Sequence, residues 1–259
     1  ERRRPGRSSR RCILLTNDDG YDAPGLAALV RAMRGLGRIV VVAPDRERSG
    51  AGHALTLGRP LRVRQTGEDR YRVDGTPTDC VHLGVFHLTG GRAPDLVASG
   101  INRGLNVGDD VTYSGTVAGA LEGTLLHIPS IAVSVATDEE GRARFEHAAR
   151  FARRLAEAVL DRGLPAGVFL NANVPSGRPR GVRVTRQGTR SYRAAIVERL
   201  DPSGRPYFWI AGAETTPAGE PDGDHVALRD RRISITPLHA NLTHAPSLEV
   251  VAGWHLDVS

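Results

Sequence analysis

Lysine is absent from this chain; all 35 basic side chains are arginine. Chemistry that needs a lysine amine is thereby excluded, including a Schiff base and the lysine of a phosphate-binding P-loop. Cysteine is scarce, with only Cys12 and Cys80. Each lies in an apolar segment, so they read as reduced core thiols rather than as a disulfide or a metal pair, and a cytoplasmic location is expected. Aromatic residues make up 5% of the sequence, so the core must be built from Val, Leu, Ile and Ala. No apolar run approaches the roughly 20 residues a membrane helix needs. No Gly-x-Gly-x-x-Gly follows the first apolar run, so the fingerprint of a dinucleotide-binding oxidoreductase is missing. The nine histidines show no His-Glu-x-x-His spacing. Only His53 falls in a candidate site loop, where it reads as an ordinary loop residue.

The net charge of +6 is local. Six arginines and one glutamate in residues 1–11 leave the rest at about +1. A folded part without basic excess gives little support for binding nucleic acid by counterion release. The Arg/Ser/Pro start reads as a disordered tail and lacks the apolar stretch of a signal peptide.

The chain has 259 residues, 40% hydrophobic and 25% charged, enough for one large α/β domain or a core with an appendage. Cys12–Thr16 is a continuous apolar run, the pattern of a strand buried on both faces. Asp22 is a candidate helix cap, and Pro24 sits where a first turn tolerates it. Leu26, Leu29, Val30 and Met33 repeat at helical spacing, and Arg38–Pro44 gives a second buried strand. The alternation continues with helices over Pro77–Leu88, Ser114–His127 and Arg144–Leu160. Val117, Ala120, Leu121 and Leu125 are expected on the inner face of the second of these. Strands are predicted over Asp95–Ser99, Ile131–Val135 and Val168–Val174. Such βα alternation implies a doubly wound, mainly parallel sheet. Beyond about residue 180 the pattern changes. Gly181–Arg186 and Ile233–Leu238 read as strands, and residues 187–231 as an appendage with hairpins. Its run Tyr207-Phe208-Trp209-Ile210 suits either a subunit contact or a small local core.

Four short stretches, each at or beyond a predicted strand, carry polar groups. Asp18-Asp19 is an acidic pair at a strand end, and two adjacent carboxylates call for a cation. Ser49 follows the second strand, beside Gly50 and Gly52. Asn102 follows Ser99-Gly100-Ile101. Asp18, Asp19, Ser49 and Asn102 together offer oxygen ligands for one Mg²⁺ or Mn²⁺ ion, with positions left for water and substrate. Ser114-Gly115-Thr116 opens a predicted helix, where free amides and the helix dipole favour an anion. Each piece alone also fits a turn or a cap; their joint occurrence points to a metal-dependent phosphatase. A receiver-type signalling module shares the acidic pair but needs a late lysine. A haloacid-dehalogenase-type phosphatase needs its aspartates one residue apart and a later lysine. A nucleotide sensor without turnover stays open on sequence grounds.

The blocks Leu14-Leu15-Thr16-Asn17-Asp18-Asp19-Gly20, Ala43-Pro44-Asp45-Arg46-Glu47-Arg48-Ser49-Gly50, Asp74-Gly75-Thr76-Pro77-Thr78-Asp79-Cys80, Ser99-Gly100-Ile101-Asn102-Arg103-Gly104 and Tyr113-Ser114-Gly115-Thr116-Val117-Ala118 resemble the signature blocks of the SurE family of survival-protein phosphatases. Asn171-Ala172-Asn173-Val174-Pro175 and Ser234-Ile235-Thr236-Pro237-Leu238 fit as well. The resemblance runs from about residue 11 to 255, loosely over 187–231. It implies a Rossmann-like catalytic core over 12–186 and a C-terminal oligomerisation segment over 187–259 that returns to the core, giving a homodimer or homotetramer. It implies one divalent ion per subunit and hydrolysis of nucleoside 5′-monophosphates, with 3′-nucleotides and short polyphosphate also accepted. The metal ligands it implies are Asp18, Asp19, Ser49 and Asn102. Asn106, Ser114, Gly115 and Thr116 fall on its further active-site groups, expected to hold phosphate. Asp18, Asp19 and Asn106 are the expected catalytic residues, with Asp19 favoured over Asp18 as the base for water. No membrane and no specific nucleic acid is expected as a partner.

Overall fold

Five apolar residues in a row make the first strand, β1 (Cys12–Thr16), buried along its whole length. Side chains alternate across a strand, so Ile13 and Leu15 enter one apolar layer while Cys12 and Leu14 enter another. The computed structural model describes residues 11–189, 192–214, 220–254 and 256. The expected tail, apart from Arg11, lies outside them.

The chain continues through α1 (Pro24–Met33), β2 (Arg38–Pro44), β3 (Val63–Gly67), β4 (Arg70–Val73), α2 (Pro77–Leu83), β5 (Leu96–Arg103) and α3 (Gly115–Leu125). Then come β6 (Ser130–Val135), α4 (Phe145–Arg162), β7 (Val168–Val174), β8 (Val182–Val184), β9 (Tyr192–Leu200), β10 (Pro206–Glu214), α5 (Asp224–Arg229), β11 (Ile233–His239) and α6 (Ser247–Ala252). Nine strands form one sheet in the order β3-β4-β2-β1-β5-β6-β7-β11-β8. From β4 to β7 every pairing is parallel; β3 against β4 and β11 against β7 are antiparallel. The fold is therefore α/β and doubly wound, as the alternation predicts. The chain builds outward from β1 through β2, then resumes on the other side of β1 with β5. The ends of β1 and β5 thus flank the switch point, where open α/β sheets bind ligands.

Helices cover both faces. Leu26, Leu29 and Met33 of α1 join Ala148, Ala152 and Leu155 of α4 on one face. Cys80 and Val81 of α2 pack on the other with Leu14, Val40 and Val97, where α3 adds Val117 and Ala120 against Ala132 and Phe169. Cys12 and Cys80 are both free and buried. Burial of roughly twenty aliphatic side chains at about 1.5–3 kcal/mol each is what offsets the chain's lost entropy.

Local caps fix the helix ends. Thr76 and Asp79 form a reciprocal capping box at the start of α2. Arg153 of α4 donates to the carbonyls of Ala32 (2.8 Å) and Arg34 (2.7 Å), closing the end of α1. The expected cap at Asp22 does not form. Ala23 is the cap position and makes no side-chain bond, because Asp22 faces Arg72 in a paired contact at 2.6 Å. The helix expected over Pro77–Leu88 is α-helical only to Leu83 and continues as a π-helical turn, Gly84–Leu88. Leu125 is not on the inner face of α3; it is 47% exposed. That face instead carries Gly115, Gly119 and Gly123, four residues apart. A methyl group on Gly119 would lie 2.9 Å from Ser99 Oγ and 2.9 Å from Thr16 Cγ2. The missing side chains let α3 lie directly on β1 and β5.

β9 and β10 form an antiparallel hairpin, separate from the main sheet. Phe208, Trp209 and Ile210 on it are exposed, which removes the alternative of a small local core. Among the described residues, no helix is long and apolar enough to cross a membrane.

Candidate functional site

Asp18 and Asp19 leave the end of β1 into a tight turn. Asn17 Nδ2 donates to the Gly20 carbonyl at 2.9 Å and closes it. Asp18 is only 4% exposed. Gly115, at the start of α3, packs against it; a Cβ there would lie 2.7 Å from Asp18 Cβ. The Thr116 hydroxyl donates to Asp18 Oδ1, and the Thr116 backbone amide also bonds the carboxylate. Burial pushes the Asp18 carboxyl above its ordinary range, and those bonds oppose the rise. Asp19 is pushed up to about 6, first by burial and then by the charge of Asp18. The Arg103 amide donates to Asp19 Oδ2 at 3.2 Å. Glu47 adds negative potential at both aspartates.

Asn102 lies near the end of β5 rather than in a loop, because the strand extends past the predicted Ser99 to Arg103. Its register shifts between Gly100 and Asn102. Asn102 Nδ2 donates to the Gly104 carbonyl at 3.0 Å, so its oxygen remains for a ligand. Ser49 is exposed on the loop after β2, and its hydroxyl donates to Glu47 Oε1 at 2.8 Å. The loop is tied to the acidic pair one residue earlier, where the Arg48 amide donates to the Asp18 carbonyl at 2.8 Å.

Asn106 sits in the loop between β5 and α3, and it is buried. Its amide donates to Asn173 Oδ1 (2.8 Å), and its carbonyl accepts from Asn171 Nδ2 (2.8 Å) and Asn173 Nδ2 (2.9 Å). Its own Nδ2 donates to Ser134 Oγ at 2.7 Å. Two strands, β6 and β7, thereby clamp one loop residue. Ser114 caps α3, with Oγ accepting from the Val117 amide at 3.1 Å, which leaves its hydroxyl proton free to donate. Thr116 differs from the expectation: its hydroxyl is given to Asp18.

These residues can be set beside known proteins. The sequence model of the family described as Survival protein SurE matches residues 13–194. The chain belongs to the SurE family. It is 50% identical over 253 residues to the 5′-nucleotidase SurE of Syntrophotalea carbinolica, covering 95% of this chain and 98% of that one. It is 53% identical over 249 residues to 5′-nucleotidase SurE 1 of Thermus thermophilus, covering 93% and 96%. The crystal structure of the SurE protein from Aquifex aeolicus superposes with a TM-score of 0.85 at 45% identity, over 95% of this chain and all of that one.

The four expected oxygen donors, Asp18, Asp19, Ser49 and Asn102, are of a kind that suits a hard divalent cation. They offer two adjacent carboxylates, Asp18 buried and Asp19 half-buried, with the charge of Asp18 raising the proton affinity of Asp19, beside a neutral amide oxygen and a hydroxyl, and no nitrogen or sulfur. Among the described residues, no group of three His, Cys, Asp or Glu side chains converges as a metal cluster; this set differs in kind, with two carboxylates and two neutral oxygens. Asp18, Asp19, Gly115 and Thr116 meet directly or through one hydrogen bond. Asn106 approaches from the β6–β7 side, and Ser49 is turned onto Glu47.

Sequence reasoning missed several supporting groups. Glu47 carried a local signal, standing two residues from Ser49 in a charged loop. Asn171 and Asn173 carried another, as two amides on an otherwise apolar strand. Asp224 carried none. It is fully buried on α5 and accepts the Gly108 amide at 2.9 Å, holding the loop that leads from Asn106 to Ser114.

Proposed function

We propose that this chain is a 5′-nucleotidase: a divalent-metal-dependent phosphomonoesterase that splits nucleoside 5′-monophosphates into nucleoside and phosphate. The observation that carries the reading is the Asp18–Asp19 pair at the switch point, with Asp18 buried and packed on the start of α3 and Asp19 half-buried beside it, in a chain about half identical to relatives named 5′-nucleotidase SurE. The reading extends to 3′-nucleotides and short polyphosphate, and to one Mg²⁺ or Mn²⁺ ion per subunit.

In this reading Asp18, Asp19, Ser49 and Asn102 hold the ion. When bound, a divalent ion supplies Lewis-acid polarisation of the phosphoryl group and neutralises its charge. Asn106, the Gly115 amide and the Ser114 hydroxyl hold phosphoryl oxygens in place. Thr116 acts one step back, fixing Asp18. Asp19, beside the ion and less buried than Asp18, is the group suited to accept the proton of the attacking water. The bond from water oxygen to phosphorus forms as the ester P–O bond breaks. Ser49 is a ligand and not a nucleophile in this scheme, since its hydroxyl faces Glu47 and no imidazole.

Beside the site lies a cavity of about 840 Å³ lined by Val107, Gly108, Asp138, Arg142, His225 and Arg229 among others. Arg103 links its wall to the acidic pair, donating from Nη2 to the Gly141 carbonyl at 2.7 Å and from its amide to Asp19 at 3.2 Å. Guanidinium faces and carboxylates suit a base and ribose hydroxyls, which supports a nucleoside there. The exposed hairpin β9–β10 supports a homodimer or homotetramer through residues 187–259.

The test is phosphate release from a panel of 5′- and 3′-nucleoside monophosphates with Mg²⁺, Mn²⁺ or EDTA, beside Asp18→Asn. Metal-dependent release lost in the variant is the expected result. Folded protein that binds nucleotide but releases no phosphate with any metal would make the chain a sensor without turnover.

A further inference from the structure

Glu122 stands on the side of α3 that faces α2 and the loop after β2, and is only 4% exposed. A carboxylate is costly there unless paired and hydrogen-bonded. Both oxygens are taken by imidazoles: Oε2 by His53 Nε2 at 2.8 Å and Oε1 by His82 Nδ1 at 3.0 Å. The two histidines outweigh burial and hold the carboxyl below its ordinary range. His82 belongs to α2, where its ring lies 4.7 Å from that of Phe86. His53 belongs to the loop after β2, four residues past Ser49.

The loop is also anchored on the other side of Ser49 by Arg48, whose amide donates to the Asp18 carbonyl and whose Nη2 donates to the Asp74 carbonyl, both at 2.8 Å, and by Arg59, which donates to the Asp74 carbonyl as well; past Ser49 the remaining anchors apart from His53 are backbone or capping contacts. The Gly52 amide donates to the Tyr113 carbonyl at 3.1 Å. The Ala54 carbonyl accepts from Thr76 Oγ1 at 2.7 Å, and Thr56 donates twice to Asp79. Gly50 and Gly52 both have positive φ, at 75° and 56°. Gly50 has nothing within 4 Å of where a side chain would begin, so no packing at that position fixes the chain just past Ser49. The His53 ring is the one side chain between residues 49 and 55 for which a bond to the protein body is formed among the described residues.

We propose that Glu122, acting through His53, is a positioning residue that sets Ser49 relative to Asp18, Asp19 and Asn102, tying the metal-holding loop to the helix whose first turn faces the phosphate. The inference rests on the metal site proposed above. His82 shares the carboxylate but lies on an element that carries no ligand. It therefore serves as the control for a merely structural role.

The experiment is Mn²⁺ titration of the full chain, followed by the EPR signal of free Mn²⁺. His53→Ala should weaken Mn²⁺ binding about tenfold, the lower end for outer contacts of a metal site. His53→Gln, whose amide can still donate to Glu122, should recover most of that loss. His82→Ala should stay within about twofold of the parent, in line with its place on a helix that carries no ligand. Unchanged binding by His53→Ala, or an equal loss in His82→Ala, overturns the inference while leaving the metal site standing. A parent chain that binds no Mn²⁺, or an Asp18→Asn variant that binds it normally, overturns the metal site and this inference with it.

Discussion

The sheet edge and the C-terminal hairpin are built on opposite terms. At the edge, polar groups are buried: Asp18, Asn106, Ser114 and Thr116 all lie below the surface. On the hairpin, apolar groups are exposed: Trp209 is 63% and Ile210 89% accessible. Each arrangement raises the free energy of the isolated chain, one by desolvating charge and the other by wetting apolar surface. A region made this way is shaped for something that binds it. In the proposed function a cation and phosphate would relieve the first, and a matching apolar surface would relieve the second. The two unfavourable terms are kept apart, on different strands and with different chemistry, so they can be perturbed separately.

The largest separation is expected from charge at the edge. Asp18→Asn should lower phosphate release at least ~1,000-fold, since metal and Thr116 both depend on that carboxylate. Light scattering should show its assembly unchanged. An assembly defect in this variant would break the comparison.

The hairpin should give the converse. Trp209→Asp with Ile210→Asp removes two exposed apolar side chains, each worth about 1.5–3 kcal/mol when buried. Sedimentation should show a smaller species, with dissociation constants raised at least ~100-fold. A chain that stays monomeric before and after the change would show that the hairpin serves some other surface.

Asn173→Ala tests how far the edge depends on its support. It removes an acceptor and a donor from the backbone of Asn106, and each buried group left unpaired costs about 1–3 kcal/mol. A kcat reduced by about 10–100-fold with KM changed less would match a group aligned for the transition state. Equal changes in both would place Asn106 in plain substrate binding.

Smaller, and of opposite sign, is the effect of Asp19→Asn on stability without metal. The folded value near 6 exceeds the ordinary 3.8. Between those pH values the folded chain keeps a proton the unfolded chain has released. Stability should therefore fall as pH rises from about 4 to about 6, then level off. Asn removes that loss, so the metal-free variant should melt about 2–6 °C higher at pH 7, as about 1–2 kcal/mol implies. Calorimetry with EDTA reads it, and a lower melting point would mean that Asp19 is stabilised by a partner. Glu122 has the reverse sign. Its carboxyl is held low, so its contribution is complete above its ordinary value and is lost as pH falls through the lowered one.

Much of this was legible in the residues themselves. Cys12–Thr16, Arg38–Pro44 and Val168–Val174 form strands with the predicted boundaries, because a buried parallel strand is a short apolar run bounded by turn residues. The edge strand β3 and its neighbour β4 were not legible. Val63–Gly67 is exposed throughout, so it shows neither an apolar run nor alternation. Asp22 looked like a cap because the sequence could not show Arg72 opposite it. The candidate residues were legible as types placed after strands, yet their contacts were not. Thr116 looked like a phosphate donor until Asp18 came within its reach, and His53 looked like a loop histidine until Glu122 did.

By itself, then, the sequence determined the strand and helix periods, the aliphatic core and the polar residues at the strand ends, since each depends on neighbours a few positions away. The tertiary structure alone decided which of those polar groups share a proton, a charge or a hydrogen bond. Asn106 meets Asn173 across 67 residues and His53 meets Glu122 across 69. The second pair forms because the chain returns after β2 to place β5 and α3 on the other side of β1, and the first because β6 and β7 then follow beside β5; no local pattern of residues records either placement.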